Sequence, residues 1–507
     1  MNRIKQEKTK RERKTLVEYE AVIGLETHVQ LKTRSKMFGT SSAEYQNAEP
    51  NTLVDEVSMA LPGTLPVVNE TAVEYAMMIG MAINCNIARI TKFDRKNYTY
   101  PDLMKGYQIT QMDEPICYEG YVDLPIEDSV RVRINRVHME EDVARLIHVE
   151  GPRGGTVHSL IDINRAGTPL MEVVTEPDMH TSEQVESYIN NLQHIIRYLG
   201  VGTANMEEGS FRCDANISVR PKGMKELTTK VEVKNMNRVR AVVRAVEYEI
   251  ERQIAANESG ERIIQETRGW DDGKGITVPQ RSKEEANDYR YFPEPDIPPL
   301  IISEEWIERT QAAMPELPIP RKARFVSEWG LSEYDADLLT VLRSTADYFE
   351  SVCEGVKALS TDAKHAFAKG ASNWLTGEMA RMMNEDELVN MADTNVSPEA
   401  LATLVEKFRK RELNNNSAKQ VFEIMYKKGT APEKIIEDLG LSVVSGTDSL
   451  GPIVDEVIAN NEKAVNDYLG GKEVALKSLM GQVMKATRGQ ADPVQATEII
   501  KEKLANR

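Results

Sequence analysis

Ala21-Val-Ile-Gly-Leu-Glu-Thr-His-Val-Gln-Leu31 alternates through eleven residues. Ile23, Leu25, Val29 and Leu31 fall on one face, and Gly24, Glu26, His28 and Gln30 on the other. This is a strand with an apolar back and a polar front. Glu26 and His28, two positions apart, project from the same side, where a carboxylate and an imidazole can reach one ion. A surface His–Glu pair gives the same pattern, so other polar groups must be sought that meet this face.

The strongest lies downstream, in Arg136-Val-His-Met-Glu-Glu-Asp142. Three consecutive carboxylates, Glu140, Glu141 and Asp142, repel one another unless a cation neutralises them. A hard ion such as Mg²⁺ prefers such oxygens. A solvated acidic loop is the alternative, but the run Val132, Ile134, Val137 and Met139 places the triplet at the end of a strand. Farther on, Cys213, Ala215, Ile217 and Val219 alternate with Arg212, Asp214, Asn216 and Ser218. After a turn at Pro221-Lys-Gly223, Val231 and Val233 alternate with Lys230, Glu232 and Lys234, which predicts an antiparallel hairpin. Together these strands predict a sheet face rich in carboxylates and lysines, suited to a metal and a nucleotide.

Between them, residues 71–88 predict a buried Ala/Met-rich helix, and Leu61-Pro-Gly-Thr-Leu-Pro66 a turn. Lys92-Phe-Asp-Arg-Lys-Asn-Tyr-Thr-Tyr-Pro-Asp102 mixes cations with aromatics. Arg95 and Lys96 are candidate phosphate ligands, and Tyr98, Tyr100 and Tyr107 candidate stacking groups. Gly151-Pro-Arg-Gly-Gly-Thr156 lacks the spacing of a phosphate loop and reads as a hairpin connection. Helices are expected from Thr181-Ser182 to Leu199 and again from Val239 through Ile250. The proline-dense stretch Asp288–Leu300 marks a domain exit. Beyond it the pattern is helical, as in Leu401, Leu404, Val405 and Phe408.

The 507 residues suffice for two or three domains at roughly 150 residues each. No stretch approaches the ~18 apolar residues of a membrane span, and no signal-peptide core precedes the first strand. The four cysteines, Cys85, Cys117, Cys213 and Cys353, form no CxxC pair, which fits reduced thiols and a cytoplasmic setting. A formal charge of -17 excludes indiscriminate nucleic-acid binding but leaves room for local basic patches. The first fifteen residues are basic and read as a disordered extension or an RNA-touching arm. No nucleophile–base pair for glutamine hydrolysis is evident. Gly39-Thr-Ser-Ser42 is short and reads as a turn.

Several long motifs, in order, resemble the GatB family, the B subunits of tRNA-dependent amidotransferases. They are Gly24–Leu31, Phe93–Tyr98, His138–Asp142, Ile161-Asp-Ile-Asn-Arg165 with Pro169-Leu-Met-Glu172 and Pro177, Arg212–Asn216, Asp288–Pro293 and Gly481-Gln-Val-Met-Lys485. The resemblance implies an α+β cradle domain with an antiparallel sheet, followed by an all-α helical domain ending in a YqeY-like tail. The corresponding divisions are 1–17 for the extension, 18–300 for the cradle, 301–425 for the helical domain and 426–507 for the tail. It implies a GatCAB heterotrimer, in which an amidase (GatA) and a small third protein (GatC) are the partners. It implies ATP- and Mg²⁺-dependent phosphorylation of the side-chain carboxylate of Glu-tRNA(Gln) or Asp-tRNA(Asn), then amidation by ammonia channelled from the amidase. On this reading Glu26, His28, Glu140, Glu141, Asp214 and Glu232 are the catalytic set, with His28, Glu141 and Glu26 on the metal. Lys96, Arg95 and Lys234 bind phosphate. Lys477, Lys485 and Arg488 lie in the part that resembles the tRNA-embracing tail. Many family members bind zinc through two cysteine pairs near the first strand. The matching positions here are Gly39, Ser41, Asp55 and Ser58, so no thiolate zinc site is expected.

Overall fold

The computed structural model describes residues 17–126, 130–151, 156–282, 289–356, 358–441, 447–487 and 491–505. The basic extension up to residue 16, residues 152–155 of the glycine-rich loop and Arg488 therefore lie outside the described residues. The chain divides into two compact units, 1–317 and 318–507.

In the first unit, strands β1 (Tyr19–Gln30), β2 (Asn86–Ile87), β3 (Ile90–Thr91), β4 (Asp94–Asn97), β5 (Tyr107–Thr110) and β6 (Cys117–Asp123) come first. They are followed by β7 (Arg131–Glu141), β8 (Arg145–Glu150), β9 (Thr156–Asp162), β10 (Pro169–Thr175) and β11 (Phe211–Pro221). The last are β12 (Val231–Lys234), β13 (Glu266–Asp271), β14 (Ile276–Ser282), β15 (Phe292–Pro293) and β16 (Leu300–Ile301). Nine of them form one sheet in the order β14-β13-β12-β11-β1-β10-β7-β6-β2. Every pairing in it is antiparallel except β12 with β13. The stretch 21–31 thus lies in the central strand of the sheet, and the hairpin expected from 213–219 and 231–233 forms as β11 and β12.

Helices α1 (Glu70–Ala82), α2 (Ser182–Leu199) and α3 (Val239–Ser259) join Ile23, Leu25, Val29, Val137, Met171 and Ile217 in one core. They bury the apolar back of the sheet and leave its polar front to other partners. Thr181 caps α2 by accepting from Gln184 N at 3.2 Å, a bond of the kind worth ~1 kcal/mol. Gly200, at φ 75°, ends it in the left-handed conformation that glycine adopts without strain. Helix α1 is shorter than the apolar stretch 71–88 suggests. It stops at Ala82, Asn84 turns to φ 58°, and Asn86–Ile87 joins the sheet edge as β2. Apolar composition without clear periodicity marks burial, not helix length.

Strand β10 carries no alternation, because almost all of Pro169–Thr175 is buried. The hairpin expected around the glycine-rich loop is present in its two flanks, β8 and β9. The first unit continues beyond the proline-dense exit. Leu300 and Ile301 pair with β3, and helix α4 (Glu304–Ala313) packs on α1.

The second unit is helical, from α5 (Pro318–Trp329) to α12 (Pro432–Leu439) and from α13 (Thr447–Asn460) to α16 (Pro493–Ala505). It has two separate cores. One contains Phe325, Trp329, Phe349, Leu404 and Phe422, and the other Leu450, Val454, Leu479, Val483 and Ile500. Among the described residues no helix is long and apolar enough to cross a membrane.

Candidate active site

The strand registers put four side chains in one row across the polar front. Arg212 on β11 faces His28 on β1, His28 faces Glu172 on β10, and Glu172 faces His138 on β7. One step along, Asp214 faces Glu26. Glu140 follows His138 on the same side of β7, since alternate residues share a face.

His28 Nε2 lies 3.4 Å from Glu172 Oε2 and 3.8 Å from Glu140 Oε1. The donor atoms of these three residues all lie within 4.8 Å of one another. His138 Nε2 approaches Glu172 from the other side at 3.3 Å. Its Nδ1 accepts from Arg136 Nε at 3.4 Å, which assigns the ring proton to Nε2, facing Glu172. Burial opposes the charged form of Glu172, but His138 and His28 outweigh it and hold the carboxyl well below its ordinary range. Burial likewise opposes charge on His28, but Glu172 and Glu140 reverse the effect and raise its pKa. Glu140 is only 3% exposed and receives one long hydrogen bond, 3.3 Å from Thr110 Oγ1. A buried carboxylate so poorly satisfied costs free energy, and such costs concentrate at functional sites.

Lys96 faces this group from β4. Burial disfavours its ammonium, yet Glu140 and Glu172 raise its pKa. Its Nζ sits 5.3 Å from the ring centre of Tyr289 and makes no ion pair among the described residues. The adjoining half of the face is more fully paired. Lys234 Nζ bridges Asp214 at 2.8 Å and Glu232 at 2.9 Å, Thr267 Oγ1 donates to Glu232 at 2.8 Å, and Asn216 Nδ2 donates to Glu26 at 2.9 Å.

The carboxylate triplet does not act as one group. Strand alternation sends Glu140 to the front and Glu141 to the opposite side, where it pairs with Lys105 and accepts from Ile109 N at 3.0 Å. Asp142 lies past the strand end and accepts from Gln30 Nε2 at 2.7 Å. The metal set His28, Glu141 and Glu26 is therefore not the one that converges; His28, Glu140 and Glu172 is. Arg95 is also turned away. Its guanidinium binds Glu294 at 2.7 and 2.8 Å and lies over Tyr107 at 4.2 Å. Tyr98 spends its hydroxyl on Gln108 at 3.3 Å, and Tyr100 is exposed. Glu172 is absent from the set expected from sequence, although a signal was there. It is the single acid inside the apolar run Pro169–Val174, and a charge in such a run needs a partner.

Gly39, Ser41, Asp55 and Ser58 do meet. Asp55 accepts from Ser41 Oγ at 2.7 Å, Ser41 N at 3.2 Å and Ser58 N at 2.7 Å. A Cβ on Gly39 would stand 2.2 Å from Asp55 Oδ2. On helix α15 (Val474–Ala486), Leu479 and Val483 are buried, while Lys477 and Lys485 are exposed.

Residues 21–308 match the model of the GatB/GatE catalytic domain, and residues 347–504 that of the GatB domain. The chain belongs to the GatB/GatE family. It is 51% identical over 491 residues to a protein of Dehalococcoides mccartyi named as the B subunit of aspartyl/glutamyl-tRNA(Asn/Gln) amidotransferase, spanning 96% of this chain and 99% of the relative. Proteins of the same name from Carboxydothermus hydrogenoformans and Herpetosiphon aurantiacus are 47% and 48% identical over 489 and 491 residues, each with 96% of this chain and 99% of the relative covered. The open front of the sheet lies within the catalytic-domain match.

Proposed function

We propose that this sheet front is an ATP-dependent transamidation site and that the chain serves as the B subunit of a tRNA-dependent amidotransferase. The observation that carries the reading is the convergence of His28, Glu140 and Glu172 beside Lys96. The relatives' names supply the substrate class, aspartyl or glutamyl esters of tRNA. An amidase and a small third protein complete the heterotrimer and supply the ammonia, as the word subunit in the relatives' names suggests, and the cytoplasm is its setting.

The two carboxylates, Glu140 and Glu172, suit a hard divalent ion, with His28 as a third contact. They would hold Mg²⁺, which would supply charge neutralisation for a transferring phosphoryl group. A carboxylate is a poor electrophile with a poor leaving group, so activation must precede amide formation. The side-chain carboxylate of the aminoacyl group attacks the γ-phosphorus of ATP. An O–P bond forms, the bond to the β-phosphate oxygen breaks, and ADP leaves. Ammonia channelled from the amidase then adds to the activated carbonyl carbon. The C–O bond to phosphate breaks, the nitrogen gives up a proton to solvent, and the amide and inorganic phosphate remain. Lys96 offers its charge to the phosphate oxygens. His138 and Arg136 fix Glu172, and Lys234 with Glu26, Asp214 and Glu232 borders the nucleotide. In the assembled complex, His28→Ala should abolish ADP formation and Gln-tRNA or Asn-tRNA formation while glutamine hydrolysis continues. Normal amidation by that variant would sink the proposal.

Chemistry falls to the cradle, whose unit runs to Leu317 and not to 300, and tRNA to the tail, through Lys477, Lys485 and Arg488; the tail has its own core from Leu450, not from 426, because the preceding helical core extends to Leu441. On an acidic chain such binding rests on a local patch and weakens steeply with salt. Helix α13 shares its core with α15 and α16, so a chain ending at Leu441 removes that core whole. Within its complex, the shortened chain should bind labelled aminoacyl-tRNA at least tenfold more weakly, with a flatter salt dependence. Unchanged affinity and slope would mean the tail does not touch tRNA.

A further inference from the structure

Arg212 stands in the same row as His28, and one side of its guanidinium is paired with Asp142 while Nη1 is left open. Nη2 lies 3.0 Å from Asp142 Oδ2, but the contact is not aligned as a hydrogen bond. Nε and Nη2 are inaccessible to solvent and lack a hydrogen-bond partner among the described residues. Nη1 makes no hydrogen bond among the described residues and is not among the enclosed atoms, and the side chain as a whole is 39% exposed. Its neighbour Arg165 shows the opposite condition. It donates Nε to Val143 O at 2.9 Å and Nη2 to Ala144 O at 2.8 Å. An arginine kept for structure spends its fork, whereas Arg212 is anchored and left available.

The anchor is itself built. Asp142 accepts from Gln30 Nε2 at 2.7 Å and from Val143 N at 2.9 Å. Tyr45 Oη in turn donates to Gln30 Oε1 at 3.1 Å. The chain Tyr45–Gln30–Asp142 runs from a 540 Å³ cavity lined by Tyr45, Gln30 and Thr168 to the guanidinium. It fixes where the charge stands and leaves Nη1 for a ligand.

We propose that Arg212 is the oxyanion clamp of this site. Its open Nη1 donates to a carboxylate or phosphoryl oxygen beside the neighbouring His28, while Asp142, Gln30 and Tyr45 act as positioning residues that hold the enclosed side of the guanidinium. The inference rests on the transamidation reading and adds the group that receives the anion. Both candidate anions share this chemistry, and kinetics separate them.

The test uses the complete complex with aminoacyl-tRNA and ATP, following ADP release, amide formation and equilibrium binding of ATP. Arg212→Gln should lower kcat/KM roughly 10²–10³-fold. A raised KM and dissociation constant for ATP assigns the clamp to the phosphoryl group. A raised KM for aminoacyl-tRNA alone assigns it to the side-chain carboxylate. Arg212→Ala should regain activity when guanidinium ion is added, which a purely structural arginine would not allow. Asp142→Asn keeps the fork but loosens its anchor, and should lower kcat with a smaller change in KM. Parent-like kinetics in Arg212→Gln would overturn the inference. So would a loss matched by lower melting temperature and not rescued by guanidinium. If the parent complex forms no ADP when given aminoacyl-tRNA, the transamidation reading fails first, and ATP binding still tests the clamp.

Discussion

Two polar clusters in the first unit are built on opposite plans. Around Asp55 every group is matched. Ser41 and Ser58 donate to the carboxylate, and Lys36, only 1% exposed, gives its ammonium to Leu53 O at 2.7 Å and Ser58 Oγ at 3.2 Å. On the sheet front, among the described residues, Glu140 has one long hydrogen bond, Lys96 no ion pair, and Arg212 an open Nη1 beside its contact with Asp142. Both clusters bury charge, but only one leaves it unsatisfied. The matched knot ties the 36–58 segment together. The unmatched row keeps donors and acceptors free for a ligand. The contrast predicts that substitutions in the row change catalysis more than stability, and that those in the knot do the reverse.

The largest effect should come from Glu172→Gln. The substitution keeps shape and removes the charge that both histidines face. Amidation by the complex should fall more than ~100-fold, beyond what loss of an outer partner costs. Lys96→Met should fall by a similar factor through loss of charge at the phosphate. Thermal melting of Lys96→Met should stay near the parent, whereas Glu172→Gln also gives up the pairing with both histidines and should melt somewhat lower, by far less than its loss of catalysis. A large drop in melting temperature with catalysis intact would erase the distinction between the clusters.

The second test uses Lys36. Burial lowers its pKa to about 8, against the pull of Asp55, Glu141 and Asp162. Its folded pKa is depressed below that of the unfolded chain, so between about 8 and 10.5 the unfolded state binds the extra proton. Stability from this residue therefore rises with pH across that window, on the order of 3 kcal/mol at about 1.4 kcal/mol per pH unit. Urea denaturation of the parent and of Lys36→Met from pH 7 to 10.5 isolates it. The parent should gain on the variant as pH rises, and parallel curves would show that Lys36 is not shielded from water.

Asp55→Ala is the third. It strands the amides of Ser41 and Ser58 and should cost on the order of 1–3 kcal/mol. Burial works against the Asp55 charge, but donors from Ser41 and Ser58 prevail and lower its pKa. A depressed carboxyl adds stability above its unfolded pKa and loses it as pH falls through the folded value. The deficit of the variant should accordingly be full at neutral pH and shrink below about pH 4. At low temperature its kcat should match the parent; a fall in kcat would tie the knot to the chemistry.

Much of this contrast was legible in the residues. Period-two alternation placed Glu26, His28, Asp214 and Lys234 on one front, because one buried and one polar face leave a clear imprint. Glu172 was hidden because β10 is buried almost throughout, and an apolar run carries no phase. Glu141 was misplaced for a related reason. Adjacent residues in a strand face opposite ways, so a run of three acids cannot serve one ion. Arg95 and Lys96 looked alike in sequence, since whether a cation is already spent depends on Glu294, about two hundred positions away.

That last pair gives the smallest and sharpest test. Arg95 and Lys96 are neighbours on β4 and therefore face opposite sides. Arg95 grips Glu294, whose side chain is fully buried, through two hydrogen bonds, with Asp296 at 3.1 Å as a third partner. Removing its charge would leave a buried carboxylate with only the Asp296 amide and no counter-charge and threaten the fold, which would obscure any role in catalysis. Arg95→Lys avoids that. The ammonium keeps the charge opposite Glu294 but cannot reproduce the two-pronged contact, at a cost of about 1 kcal/mol. If Arg95 is spent on structure, kcat and the KM for ATP should both stay within about twofold of the parent while melting falls slightly. A KM for ATP raised about tenfold with unchanged melting would return Arg95 to the phosphate and show that a satisfied cation can still serve the substrate.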